Sequence, residues 1–335
     1  EPSPPSRLRG SVCPTWCTRP DTGEVAMDCC GAFNSSWFWK RRAEVEARCS
    51  DNPWDVMGTG EGVGGGVWLQ MHWSVMVPAA IRSVPASLGA REQLAGAIYH
   101  FGVYNGRSLL ELLKWFPFAP HYAFDSFVGL PNEASDEKWV QKNFHAGAYA
   151  TRNARALRTR LGRGASNVKI VPGFYNVSLS SQLAASLQPA AYVHMDVDLY
   201  VSTIQSLEWM LEHRLLRVGS LIGYDDIWAS PCSAGGEGVN PLEMGEGRAH
   251  VEMARRHGVA FRCVAGSCDS RKCSRHSYGM IFVVTQLGGE PDPGFAFSAA
   301  ELEEWRANSP VCRWKRRRRD HGVTRVSTRA VPVVV

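Results

Sequence analysis

The stretch AAYVHMDVDLYVSTIQSLEWMLEHRLLRVGSLIGYDDI, residues 190–227, decides the fold. AAYVHM is a short apolar run and reads as a buried strand, whereas TIQSLEWMLEHRLL reads as a helix and SLIGY as a second strand. Strand, helix, strand is the crossover unit of a parallel sheet. Both strands run out into acids: Asp196 and Asp198 after the first, Asp225 and Asp226 after the second. Residues two apart on a strand share a face, so Asp196 and Asp198 could address one ligand. Adjacent parallel strands would bring all four carboxylates to one edge of the sheet. They would repel one another there, and a hard divalent cation such as Mg²⁺ resolves the conflict. The plainer alternative is that they are solvated acids at strand ends.

The same alternation extends in both directions. Upstream come IYHFGVY (strand), GRSLLELLKWF (helix), HYAFDSF (strand), a polar and mostly helical segment EKWVQKNFHAGAYATRNARALRTRLG, NVKIVPGF (strand) and LSSQLAASL (helix). Downstream come EGRAHVEMARRHG (helix) and two successive strands, VAFRCVA and SYGMIFVVT. Strands alternating with helices predict an α/β domain with a mostly parallel sheet covered on both faces. The closing pair of strands predicts one antiparallel member. This domain spans about residues 86–288, after a Cys-, Gly- and Trp-rich extension (1–85) and before a C-terminal helix and basic tail (289–335).

In open α/β sheets, ligands bind beyond the carboxyl ends of the strands. The first strand ends in HFGVYNGRS, where Gly102 and Gly106 frame a strand-to-helix turn that lets the backbone approach a cofactor. Asp125 ends the next strand, 19 residues after Gly106, where an acid can accept hydrogen bonds from both ribose hydroxyls. Each feature alone has a bland reading, a tight turn or a helix cap; together they point to a nucleoside-bearing cofactor.

Charge narrows the choice of partner. The net charge is +5, but RWKRRRR at 313–319 carries six positive charges, so the body is close to neutral and offers no nucleic-acid-binding face. No run is apolar enough to span a bilayer, since VWLQMHWSVMVPAAI at 67–81 is broken by Gln70, His72 and Pro78. The ten cysteines fall in two groups, Cys13 to Cys49 and Cys232 to Cys312. Spaced groups of even total favour disulfides, with a zinc site using CPTWC and free thiols as rivals. With the sequons at Asn34 and Asn176, this favours a secretory-pathway lumen over the cytoplasm. A sequence starting at Glu1 leaves the presence of a signal peptide open.

FGVYNGRSLLELL, FDSFVGLP, VKIVPGF, AYVHMDVDLYVST, GSLIGYDD and GEGRAHVE, in that order, resemble the macrocin O-methyltransferase family of class I S-adenosylmethionine-dependent methyltransferases over residues 90–285. The resemblance implies a Rossmann-like, doubly wound sheet of seven strands with the last one antiparallel. It implies S-adenosylmethionine over Gly102, Val103, Tyr104, Gly106 and Ser108, with Asp125 and Ser126 at the ribose and Asp196 beside them. It further implies Mg²⁺ on Asp198, Asp225 and Asp226, with Asp196 as the alternative or additional ligand, and a sugar or other polyhydroxylated small molecule as acceptor. His100 stands where such enzymes usually carry an acid.

Mg²⁺ on two neighbouring substrate oxygens would lower a hydroxyl pKa and fix its direction for in-line displacement. His145 is the candidate base and Asp198 shares the catalytic role, with His194 as the competitor and Tyr149 and Tyr200 as candidate pocket walls. A homo-oligomer is compatible with the sequence. Two other classes stay open. Asp196-Val197-Asp198 also fits the DxD element of a metal-dependent glycosyltransferase, and His100 fits a binding protein that keeps the fold without catalysis.

Overall fold

A computed structural model describes residues 96–133, 145–151, 154–162, 165–227, 240–266 and 279–296, with positions 17, 19, 21–25, 77, 298 and 300 besides. Most of the N-terminal extension, the basic tail and the loop between the two closing strands lie outside the described residues, as do most of the cysteines. A single sheet of seven strands organises the rest: β1 (Ala97–Phe101), β2 (His121–Asp125), β3 (Val168–Pro172), β4 (Ala190–Met195), β5 (Leu221–Tyr224), β6 (Ala260–Gly266) and β7 (Met280–Gln286). Their order across the sheet is β3-β2-β1-β4-β5-β7-β6. Strands β1 to β5 are parallel, and β7 runs antiparallel between β5 and β6. The order reverses between β1 and β4, which are neighbours in the sheet (Phe101 opposite Met195) though remote in sequence. That reversal opens a crevice beyond their carboxyl ends.

The helices are α1 (Arg107–Trp115), α2 (Ala154–Leu161), α3 (Tyr175–Ser178), α4 (Ser181–Ala184), α5 (Tyr200–Glu212) and α6 (Gly245–His257). In α1, Leu109, Leu112 and Trp115 recur at helical spacing and are buried, while Glu111 and Lys114 pair at 2.7 Å outside. Helix α6 carries Glu246 in its first turn and Arg255, Arg256 and His257 in its last, matching the helix dipole at both ends. It stops at Gly258, which takes the left-handed conformation that ends helices. Of the polar segment expected to be mostly helical, residues 146–149 form a turn and the helix begins at Ala154.

Strands β1 and β4 are buried at every position, so the sheet is covered on both faces. One face carries Tyr99, Phe101, Phe124, Val193, Met195 and Tyr224 in the main core. Tyr99 and Phe101 stack on Phe124, their ring centroids 6.1 and 4.9 Å away. The other face holds three buried histidines: His100 on β1, His121 on β2 and His194 on β4. His100 Nε2 meets His121 Nδ1 at 2.9 Å, and His121 Nε2 meets the Phe116 carbonyl at 2.9 Å. A carbonyl only accepts, so His121 carries its proton on Nε2 and His100 donates from Nε2. Burial pushes the His121 pKa down to about 4 and that of His100 well below its ordinary value, so the stack is neutral. His100 thus belongs to the sheet interior and does not line the crevice.

Candidate active site

The crevice is a cavity of about 550 Å³, within the range of small-molecule sites. On one side it meets the turn after β1. Gly102 and Gly106 both have positive φ (79° and 80°). A Cβ on Gly102 would run into the Asp196 carbonyl oxygen, and one on Gly106 into Leu157. Only glycine allows this turn to close against β4 and α2.

Asp125 braces the turn. Its Oδ2 accepts from the Val103 N–H at 2.8 Å and the Tyr104 N–H at 2.7 Å, while Oδ1 accepts from the Phe127 N–H at 2.6 Å. The carboxylate expected at the ribose therefore already serves three backbone donors, though it also lines the cavity. Tyr104 and Ser126 line the cavity too, with Ser126 Oγ donating to the Gly129 carbonyl at 2.6 Å. Val103 and Ser108 do not: both are buried, Val103 in a small core with Leu109, Ala123 and Leu157. Val103 contributes to the turn by its N–H alone.

Asp196, Asp198, Asp225 and Asp226 also line the cavity, Asp196 directly beside the glycine turn. The set that could hold a metal ion among the described residues is Asp196, Asp225 and Asp226, whose carboxylate oxygens lie within 4.8 Å of one another. The expected trio had Asp198 in the place Asp196 takes. The reason is backbone: β4 ends at Met195, and Asp198 has φ 61°, so the same-face rule for residues two apart has lapsed. Asp198 is hydrogen-bonded to Asp226 instead.

Burial first, then mutual repulsion, holds the carboxyls of Asp196, Asp198 and Asp225 well above the ordinary range. A divalent cation would remove that repulsion, so the donor set, all carboxylate oxygen, suits a hard ion.

Sequence reasoning passed over Glu246. It is buried, and from the first turn of α6 its Oε2 accepts from the Asp226 N–H at 2.9 Å and its Oε1 from the Val197 N–H at 3.4 Å. One carboxylate thus ties the acidic ends of β4 and β5 together. The signal was an acid between two glycines in GEGRAHVE, at a helix start.

His145 is exposed, its Nδ1 lies 3.0 Å from the adjacent Ala146 carbonyl, and it does not line the cavity. His194 is buried within β4, packed edge-on to His100. Tyr200 donates to Glu252 at 2.6 Å, away from the cavity, whereas Tyr149 lines it. Asn176 of the second sequon also lines the cavity, where a glycan would fill the mouth.

A seven-stranded sheet with an antiparallel β7, a glycine turn after β1 and an acid after β2 is the arrangement of the class I methyltransferase fold. Residues 84–237 match the family model of the macrocin O-methyltransferases (TylF), and over this segment the chain is similar to that family of S-adenosylmethionine-dependent enzymes. Among solved structures it is similar to the O-methyltransferase NovP, with 18% identity over 62% of this chain and 78% of that one and a TM-score of 0.43. It is also similar to CalS11, a TDP-rhamnose 3'-O-methyltransferase of calicheamicin biosynthesis (19% identity, 75% of this chain and 95% of that one, TM-score 0.37). A third is TomG from Streptomyces achromogenes, in complex with S-adenosylmethionine (13% identity, 76% of this chain and 91% of that one, TM-score 0.37). No curated protein matches the sequence.

Proposed function

We propose that the chain is a Mg²⁺-dependent O-methyltransferase that acts on a hydroxyl of a sugar or other polyhydroxylated small molecule. The observation that carries this reading is the juxtaposition of the Asp196, Asp225 and Asp226 carboxylates with the glycine turn in one cavity. Gly102 and Tyr104 form the cofactor side, with Asp125 and Ser126 beyond them, while Gly106, buried and off the cavity, shapes the turn. When bound, the cofactor supplies an electrophilic methyl group and the cation lowers the pKa of a coordinated hydroxyl. Asp196, Asp225 and Asp226 are the proposed cation ligands. Asp198, on the same wall, is the proposed acceptor of the hydroxyl proton in its ionised form, the hydrogen bond it makes to Asp226 in this structure requiring one of the two carboxyls to carry a proton. Glu246 holds the two acidic strand ends in register. Burial first and then Asp198 hold the Tyr149 phenol protonated, so it keeps an O–H that can donate.

The proposed domain limits are 86–288. A disulfide framework among the ten cysteines is part of the proposal, on their even number and spacing. The test is transfer of labelled methyl from S-adenosylmethionine to a panel of polyols and glycosides. Transfer should need Mg²⁺, stop with a chelator and resume when Mg²⁺ is restored, and Asp226→Asn should lower it by roughly a hundredfold or more. Transfer that continues unchanged in chelator would remove the cation from the reading.

A further inference from the structure

Five non-glycine residues among those described have positive φ, and three of them, Tyr104, Tyr149 and Asp198, line the cavity. Large side chains avoid this conformation, and it persists only where the surroundings hold it. Both tyrosines are held. The Tyr104 N–H is bound to Asp125, while the turn bearing Tyr149 is laced to the loop after β2 by Gly147 N–H to the Leu130 carbonyl and Leu130 N–H to the Ala148 carbonyl, each 2.9 Å.

The two rings meet edge to face, with centroids 6.0 Å apart and planes at 89°. Neither is core packing, since Tyr104 is 46% exposed and Tyr149 47%. Perpendicular rings wall a corner, and Tyr149 stands in the field of Asp198, Asp226 and Asp196. A ring face is the negative side of the aromatic quadrupole. Such a corner attracts a cation.

Resting on the S-adenosylmethionine reading above, we propose that Tyr104 and Tyr149 form a two-walled recognition site for the sulfonium cation, so that the protein holds the methylated cofactor more tightly than the demethylated product. Tyr104 belongs to the turn assigned to the cofactor, and Tyr149 lines the same cavity within the electrostatic reach of Asp198, Asp226 and Asp196. The pair therefore spans the boundary that the methyl group crosses. The charge itself is what changes in the reaction: the donor carries a sulfonium, and the product a neutral thioether. Recognition of charge would thus favour binding of the donor and release of the product.

Calorimetry separates this from apolar lining, because S-adenosylmethionine and S-adenosylhomocysteine differ by that methyl and charge. The wild type should bind the first more tightly. Tyr104→Leu and Tyr149→Leu should each weaken S-adenosylmethionine about three- to tenfold while leaving S-adenosylhomocysteine within about twofold, the size of one cation–π contact. Tyr104→Phe and Tyr149→Phe keep the ring and should keep the preference, and melting curves show whether each variant is folded. Equal losses for both ligands in the leucine variants, or no loss for either, would overturn the proposal while leaving the cofactor assignment in place. A folded wild type that binds neither ligand would overturn both.

Discussion

Asp125 shows how one carboxylate can carry a fold and a site together. Three backbone N–H groups converge on it, two of them from the glycine turn. Hydrogen bonds to a charged acceptor are stronger than neutral ones, and donors stranded by its loss keep their desolvation penalty. Asp125→Ala should therefore lower unfolding stability by about 2–4 kcal/mol in the absence of any cofactor. Urea denaturation of the apo protein checks this. A side chain serving only the ribose would leave apo stability within about 0.5 kcal/mol. From sequence, Asp125 was recognisable by its place after a strand, but its bonds to Val103 and Tyr104 were not, because they arise only when β1 and β2 pair. Asp198 shows the opposite limit: its neighbour Asp196 was legible as a partner, yet the left-handed turn that parts them has no signature in MDVDL.

Strands and helices were the legible tier. Apolar runs marked β1 to β7, and leucine spacing marked α1, because burial imposes those patterns residue by residue. The placement of β7 between β5 and β6 was not written locally, since the order of strands is settled by long-range pairing. Nor was the histidine layer visible as such: His100, His121 and His194 lie on three strands and meet only in the sheet. That layer has a consequence in acid. The folded His121 pKa lies near 4, below the ordinary 6.5, so the unfolded chain binds the proton more readily. The stability this ring confers is complete above pH 6.5 and is lost as pH falls from there towards 4, about 3 kcal/mol in all. Asp196, Asp198, Asp225 and Glu246 act with the opposite sign, because their raised values let the folded state take up protons first. The overall acid profile is therefore a difference of two trends, and a residue-specific measurement is needed. In carbon-labelled histidine NMR spectra, the His121 ring should stay neutral at pH 5.5 and titrate close to 4. Titration near 6.5 would contradict the buried, neutral stack.

The arrangement of the chain as a unit places its least stable electrostatics where the chemistry belongs. The core face of the sheet is aromatic and aliphatic and the opposite face is a neutral histidine layer, whereas the carboxyl edge gathers Asp196, Asp198, Asp225, Asp226 and Glu246. Glu246 lies twenty residues beyond Asp226 and enters through α6. A clasp of Tyr200, Arg248 and Glu252 joins that helix to α5, with Arg248 to Glu252 at 2.8 Å. Such a contact depends on packing between distant segments, so the sequence left it unread. Crowded buried acids cost stability, and removing one relieves its neighbours. Asp225→Asn should thus raise the melting temperature in chelator by a few degrees, since about 1 kcal/mol corresponds to roughly 2–4 °C at this size. In the wild type, Mg²⁺ at a hundred times its dissociation constant should add about 2.7 kcal/mol by binding the folded state alone. The variant, lacking a ligand, should show little of that gain. Melting curves of both proteins with chelator and with saturating Mg²⁺ decide the matter. Stabilisation by Mg²⁺ in the wild type and its loss in an intrinsically more stable variant would mark the acidic edge as a site kept for a cation. An Asp225→Asn variant that melts lower in chelator and responds to Mg²⁺ as the wild type does would mean that Asp225 holds the fold and the ion lies elsewhere.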